Sequence, residues 1–134
     1  MGATHAIEPA VQAHGESPYY DAAIETMPRE ALAALQFERL RAMLRNAYDH
    51  VPLHRQRMQE AGVVPEDVRT LADLHRVPFT FKTDLRDHYP YGMFARPVSE
   101  IVRLHASSGT TGKSTLVAYT QSDIDNWSSL MARS

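Results

Sequence analysis

The 134-residue chain contains no cysteine, which removes disulfides, thiolate nucleophiles and cysteine-ligated zinc from consideration. An excess of one charge is also missing. Fourteen Lys and Arg stand against 16 Asp and Glu, a net charge of −2, so nothing favours a nucleic-acid or anionic-membrane partner. No apolar run approaches the ~20 residues that span a bilayer. Residues 1–20 lack both the basic and the apolar segments of a secretory signal. A cytoplasmic location is the expectation. There is no internal repeat and no low-complexity tract. Glycine is scarce, with six residues in the chain, and this makes the two placed close together at 109 and 112 conspicuous.

What is present is a hydrophobic content of 43%, sufficient for the core of one ordinary domain. Residues 1–20, small and polar with Gly2, Pro9, Gly15 and Pro18, are expected to form a mobile arm. Helical sequence follows over 21–98. Thr26 is placed to cap a long helix with Pro28 in its first turn and Glu30 near the positive end of the dipole. Leu32, Leu35, Leu40, Met43, Leu44, Ala47 and Tyr48 form its apolar stripe, while Arg39, Arg41 and Arg45 form a solvated face. Val51-Pro52 ends it. A shorter helix runs from Leu53 to Ala61, with Gly62 as a left-handed cap. Thr70 and Thr83 precede short cap-and-acid starts, with an extended Val77-Pro78-Phe79 between them. Asp84 and Asp87, beside Arg86, read as helix-start charges on a wet surface rather than as an acid–base pair.

The segment 99–134 carries the chemistry. Ser107-Ser108-Gly109-Thr110-Thr111-Gly112-Lys113-Ser114-Thr115 is the densest run of hydroxyls and glycines in the chain. Glycines let backbone N–H groups approach an anion, the hydroxyls add donors, and Lys113 adds positive charge. This composition suits a polyphosphate. Gly112-Lys113-Ser114 looks like the end of a Walker A loop, but that pattern needs glycine where Ser107 stands. It also needs a helix directly afterwards. Here Leu116-Val117-Ala118-Tyr119-Thr120 reads as a strand, and Ile101-Val102-Arg103-Leu104-His105-Ala106 as another with one face buried. A β-hairpin over about 101–120 is expected, and a Walker-type NTPase is the weakest reading. Thr120-Gln121-Ser122-Asp123 then opens a helix carrying Ile124, Trp127, Leu130 and Met131. Its pattern is still running at residue 134.

The loop resembles the phosphate-binding signature of adenylate-forming enzymes. His105-Ala106 with the loop and the following Tyr-Thr strand end is similar to phenylacetate–CoA ligase. So are Tyr48-Asp49-His50-Val51-Pro52, Val77-Pro78-Phe79-Thr80, Asp84-Leu85-Arg86-Asp87 and Tyr89-Pro90-Tyr91-Gly92-Met93-Phe94-Ala95. The resemblance spans about residues 19–134 and departs from the family at Ser114, where proline is usual, and at His54. It implies an α/β parent fold, of which this chain is the N-terminal part of the large domain, mainly helical here. It implies ATP with Mg²⁺ and coenzyme A as co-substrate, and a small aromatic carboxylic acid as substrate. Ser107, Ser108, Gly109, Thr110, Thr111, Gly112, Lys113 and Thr115 would bind the nucleotide phosphates. The acyl pocket and the adenylation lysine of such ligases lie downstream, so no catalytic residue is expected here. The chain is expected to be an N-terminal fragment without ligase activity of its own. A second reading, from another class, is a non-catalytic binding or dimerisation module, with a homodimer as its assembly.

Other candidates carry less. His50 and His54 have i, i+4 spacing, but Pro52 breaks the helix between them and no third ligand is near, so no metal site is expected. Tyr89, Tyr91 and Phe94 form an aromatic cluster suited to core or subunit contact. His105 either approaches the nucleotide or pairs within the sheet. Apolar surface is expected to remain exposed over about 101–131, because a lone hairpin covers little.

Overall fold

The computed structural model describes residues 18–107 and 114–133. Five α-helices occur among them: α1 (Ala22–Glu25), α2 (Arg29–His50), α3 (Pro52–Glu60), α4 (Lys82–Asp87) and α5 (Gln121–Ala132). Two strands, β1 (Ile101–Ala106) and β2 (Leu116–Thr120), form one antiparallel hairpin. Three 3₁₀ turns, at Pro65–Asp67, Leu71–Arg76 and Val98–Glu100, fill the middle. The architecture is mainly helical with a hairpin near the C-terminal end, as the sequence implied. Residues 1–17 of the expected arm lie outside the described residues.

Order sets in ahead of Thr26. Asp21 caps α1, its Oδ1 accepting from Ile24 N at 3.2 Å. Thr26 therefore does not start α2; its hydroxyl donates to Ala22 O at 2.6 Å and closes α1. Pro28 takes the cap position of α2 instead, at φ −53° and ψ 143°. Its carbonyl accepts from Leu32 N at 2.9 Å.

The core gathers where α2 crosses α3. Leu44, Met58, Val63 and Val68 are buried, and Phe37, Leu40, Tyr48 and Val77 pack around them. On α2 the inward stripe is thus 37, 40, 44, 48, the i+3, i+4 sequence of one helical face. Met43, expected on that stripe, lies one position off it and is 58% exposed. Arg41 sits over the Phe37 ring, 5.8 Å from its centroid. Arg45 pairs with Asp49 at 3.7 Å and also with Glu66.

Val51 separates α2 from α3 with extended backbone and is buried. The proline that follows disfavours helical geometry at residue 51, which forces the turn. The end of α3 is a Schellman motif. Val63 N donates to Met58 O at 2.9 Å and Gly62 N to Gln59 O at 3.0 Å. Gly62 has φ +65°, and a Cβ added there would meet nothing within 4 Å. Conformation, not space, selects glycine. The motif also drops Val63 back onto Met58, so the helix end and the core are one feature.

Beyond the core, one ion pair fastens the following segment. Arg57 on α3 grips Asp84 with both η nitrogens, at 2.6 and 2.7 Å, and Nη1 also donates to Phe79 O at 3.1 Å. Asp84 is 6% exposed, which corrects its reading as a wet surface charge. It also caps α4, accepting from Phe81 N at 2.7 Å. Residue 81 is therefore the cap position, and Thr83 lies inside the helix. Further on, Gly92 N donates to His88 O at 2.9 Å. A Cβ on Gly92 would come within 2.9 Å of that same carbonyl oxygen, so close backbone approach requires glycine there. Tyr89 and Tyr91 are 57% and 50% exposed, which corrects the core half of their core-or-subunit-contact reading.

Two predictions follow from these contacts. Gly62→Ala imposes a left-handed alanine and should cost about 1–2 kcal/mol, read as a lower midpoint in urea unfolding with an unchanged slope. Asp84 has its pKa held below the ordinary Asp value, first by the Arg57 hydrogen bonds and then by Phe81 N–H. A depressed folded pKa contributes stability above the unfolded value of ~3.9, and this is lost as pH falls through the folded value. Asp84→Asn should accordingly lower the urea midpoint at pH 7, and the gap to wild type should close under acid. A gap independent of pH would contradict the ion pair.

Candidate nucleotide-phosphate site

The loop expected to bind phosphate joins β1 to β2. Ser108, Gly109, Thr110, Thr111, Gly112 and Lys113 lie outside the described residues, whereas Ser107, Ser114 and Thr115 lie within them. The strands pair as Arg103↔Tyr119, Leu104↔Ala118, His105↔Val117 and Ala106↔Leu116, with Ile101↔Thr120 offset by a bulge at Val102. Ser107 and Thr115 continue the same register, and Ser107 N donates to Thr115 O at 3.0 Å. They form the neck of the loop.

The side chains close the neck further. Ser107 Oγ and Thr115 Oγ1 are 2.6 Å apart, and Thr115 N donates to Ser107 Oγ at 3.2 Å. Thr115 is 6% exposed. Two hydroxyls share one hydrogen bond between them, so one O–H proton is not spent. When Thr115 donates, Ser107 Oγ accepts twice and its own proton stays free for a further acceptor.

One face of the hairpin carries His105, Val117 and Tyr119, and α5 packs there. Its start is a capping box: Thr120 Oγ1 and Thr120 N both donate to Asp123 Oδ2 at 2.8 Å, and Asp123 N donates back to Thr120 Oγ1 at 3.3 Å. That box aims Trp127 at the strands. Tyr119 and Trp127 stack at 5.8 Å between centroids, and His105 meets both edge-on at 5.1 and 5.9 Å. His105 thus packs within the hairpin and α5. Pairing of His105 in the sheet, one of its two sequence readings, is what the described residues show.

The opposite face looks onto a cavity of about 440 Å³ lined by Asn46, Leu85, Phe94, Leu116, Ala118 and Asp123, among others. Asn46 Oδ1 is buried with no hydrogen-bond partner among the described residues. Sequence reasoning did not single out Asn46, because a lone amide on the polar flank of a helix carries no pattern.

The histidine pair is split as the proline predicted. His50 Nδ1 lies 2.9 Å from Asn46 O. His54 sits on α3, its pKa lowered first by burial and then by Arg57. Among the described residues no group of three His, Cys, Asp or Glu side chains could hold a metal ion. No helix among them is long and apolar enough to cross a membrane.

This arrangement of helices and hairpin recurs in a solved acyl-CoA ligase. A 2-hydroxyisobutyryl-CoA ligase in complex with 2-HIB-AMP and CoA, in the thioesterification state, matches with a TM-score of 0.80 and 32% identity. The match covers 96% of this chain and 27% of that one. An open conformation of the same ligase, with 2-HIB-AMP and CoA, gives a TM-score of 0.77 at 31% identity, over 96% of this chain and 30% of that one. The fold is therefore that of a segment of an adenylate-forming CoA ligase.

Sequence narrows the class. The chain is 60% identical to a phenylacetate-coenzyme A ligase of Pseudomonas putida over 111 residues, 83% of this chain and 25% of the relative. It is 54% identical to the phenylacetate-coenzyme A ligase of Thermus thermophilus, over 86% of this chain and 26% of that protein. The Escherichia coli enzyme of the same name is also 54% identical, over 83% and 25%. The chain is homologous to phenylacetate–CoA ligases and spans about a quarter of their length. No protein-family model matches it.

The neck can be tested directly. Thr115→Val keeps the shape of the buried side chain but deletes the hydroxyl, and should cost about 0.5–1.5 kcal/mol, measured by urea unfolding. Faster amide exchange at Ser107 and Thr115 than at Leu104 would localise the loss to the neck.

Proposed function

We propose that the chain supplies the phosphate-binding hairpin of a phenylacetate–CoA ligase, which converts phenylacetate, ATP and coenzyme A to phenylacetyl-CoA, AMP and diphosphate. The observation that carries this reading is the 53–60% identity to four phenylacetate-coenzyme A ligases. The hairpin supports it. A Walker A loop passes from a strand straight into a helix, whereas residues 107–115 connect two antiparallel strands and α5 begins only after β2.

The chemistry follows from what a carboxylate lacks. Its oxygen is a poor leaving group, so thioester formation needs activation. Carboxylate attack on the α-phosphorus of ATP forms the acyl-adenylate and releases diphosphate. Thiol attack on the acyl carbon then expels AMP. Negative charge grows on diphosphate in the first step. Hydrogen-bond donors and a cation fixed in place before that step lower its barrier. In this reading Lys113 supplies the cation, as an electrostatic group and not a nucleophile. Residues 108–112 supply N–H and hydroxyl donors, and Ser107 supplies the hydroxyl proton left over at the neck.

Mg²⁺ commonly accompanies ATP in such reactions. The described residues present no carboxylate cage for it, and no step above is assigned to it. His105, packed against Tyr119 and Trp127, holds the strand that delivers Ser107 and takes no chemical part. Catalytic groups for the acyl transfer are assigned to other parts of the ligase, in keeping with the quarter-length match.

The test separates binding from turnover. Mg-ATP at about a hundredfold over its Kd should stabilise the 134-residue chain by ~2.7 kcal/mol, seen as a rise in melting temperature that Lys113→Ala removes. The same preparation should show no phenylacetate-dependent ATP–diphosphate exchange. A melting temperature indifferent to Mg-ATP would overturn the phosphate-site assignment, and robust exchange would overturn the division of labour.

A further inference from the structure

The expectation that β1 buries one face is corrected here: five of its six residues are exposed. A two-stranded ladder with little apolar cover is marginal in water, so the side chains that join its arms decide its geometry. One side chain reaches both arms. Trp127 on α5 meets His105 of β1 edge-on at 5.9 Å between centroids and stacks on Tyr119 of β2 at 5.8 Å. His105 and Tyr119 also meet each other at 5.1 Å, so the three rings close a triangle across the ladder. The two strand residues belong to different rungs, since His105 pairs with Val117 and Tyr119 with Arg103. The triangle therefore braces the strands on a diagonal, against the twist that rung hydrogen bonds leave soft.

The brace and the neck share a face. Side chains alternate along a strand, and the register continues through Ser107 and Thr115. Both hydroxyls therefore stand on the side of the sheet that carries His105 and Tyr119. Their clasp, with oxygens 2.6 Å apart, is the next contact on that face toward the loop. The helix that bears Trp127 is itself held at both ends. Its capping box fixes it to the end of β2, and Arg133 Nε lies 3.4 Å from Glu25 Oε1 on α1. We infer that Trp127 is a positioning residue for the phosphate loop. By bridging His105 and Tyr119 it sets the twist of the two arms, with it the spacing of the Ser107 and Thr115 hydroxyls, and so nucleotide affinity. The link to nucleotide rests on the ligase reading; the link to the neck does not.

Three variants of the 134-residue chain test it. Trp127→Leu keeps an apolar, helix-favouring side chain but loses the ring that spans both arms, and Trp127→Phe is its conservative partner. Val68→Ala, in the helical core, lowers the melting temperature with all three rings intact. The Kd for Mg-ATP is read by titration calorimetry well below every melting temperature. Amide exchange at Ser107, and at Val63 in the Schellman turn, is read without nucleotide. Trp127→Leu should weaken Mg-ATP ~tenfold and speed exchange at Ser107 while Val63 keeps its wild-type rate. Trp127→Phe should restore most of both, and Val68→Ala should leave the Kd unchanged. Unaltered exchange at Ser107 in Trp127→Leu overturns the inference, as does acceleration equal to that at Val63 or an unchanged Kd. A Kd raised as much by Val68→Ala overturns it too, because lost stability is then the cause. If the wild-type chain binds no Mg-ATP while Ser107 alone loosens in Trp127→Leu, the phosphate-site reading falls and the positioning of the neck stands.

Discussion

The fork between Arg57 and Asp84 is the joint on which the middle of this structure depends. The helical core formed by α2, α3 and the Schellman turn holds itself together by apolar contact. Among the described residues from 78 onward no apolar side chain is fully buried; Phe79 and Phe81 are largely exposed. One guanidinium binds the Phe79 carbonyl and the Asp84 carboxylate together, and that carboxylate in turn caps the helix that follows. Bidentate geometry gives the pair directionality that a lysine could not supply. Without it, α4 would lose the ion pair that ties its cap residue to α3.

From that joint the chain leads to a hairpin organised around its own loop. Register, hydroxyl pairing and the capping box of α5 all act within the span from Ile101 to Asp123. Each is local, and each bears on the separation of the loop ends. The aromatic contacts of His105, Tyr119 and Trp127 tie α5 to the same strands. The helical region and the hairpin are thus assembled by different means, a hydrophobic core and an ion pair in one, a ladder with side-chain clasps in the other.

Much of this was legible in the sequence where the signal is local and chemical. Val51-Pro52 marked the break between helices, Gly62 the left-handed cap, and Thr120 with Asp123 the start of α5, because each reflects a backbone requirement that only certain residues meet. Thr26 misled because a cap residue can also close the preceding turn, and a four-residue α1 leaves no periodicity to detect. Asp84 misled for a deeper reason. Its partner lies 27 positions away, and spacing along the chain says nothing about a contact of that range. Strand alternation in β1 was real, yet alternation shows which side chains share a face and not whether anything covers it. At the candidate site, the collinear motifs singled out the loop as a candidate, while the clasp between Ser107 and Thr115 depends on strand register that no motif encodes.

The irregularity of the hairpin lies at Val102, at the end farthest from the loop. From Arg103 onward every rung pairs residues whose numbers keep one constant sum, and Ser107 with Thr115 obeys it too. The mismatch in length between the two strands is therefore absorbed where the hairpin begins. The chain entropy of closing the loop falls on the ladder as the hairpin forms. Were the loop to bind a ligand, as proposed above, its ends would already be together, and the free energy of the contacts would go into affinity and not into chain closure.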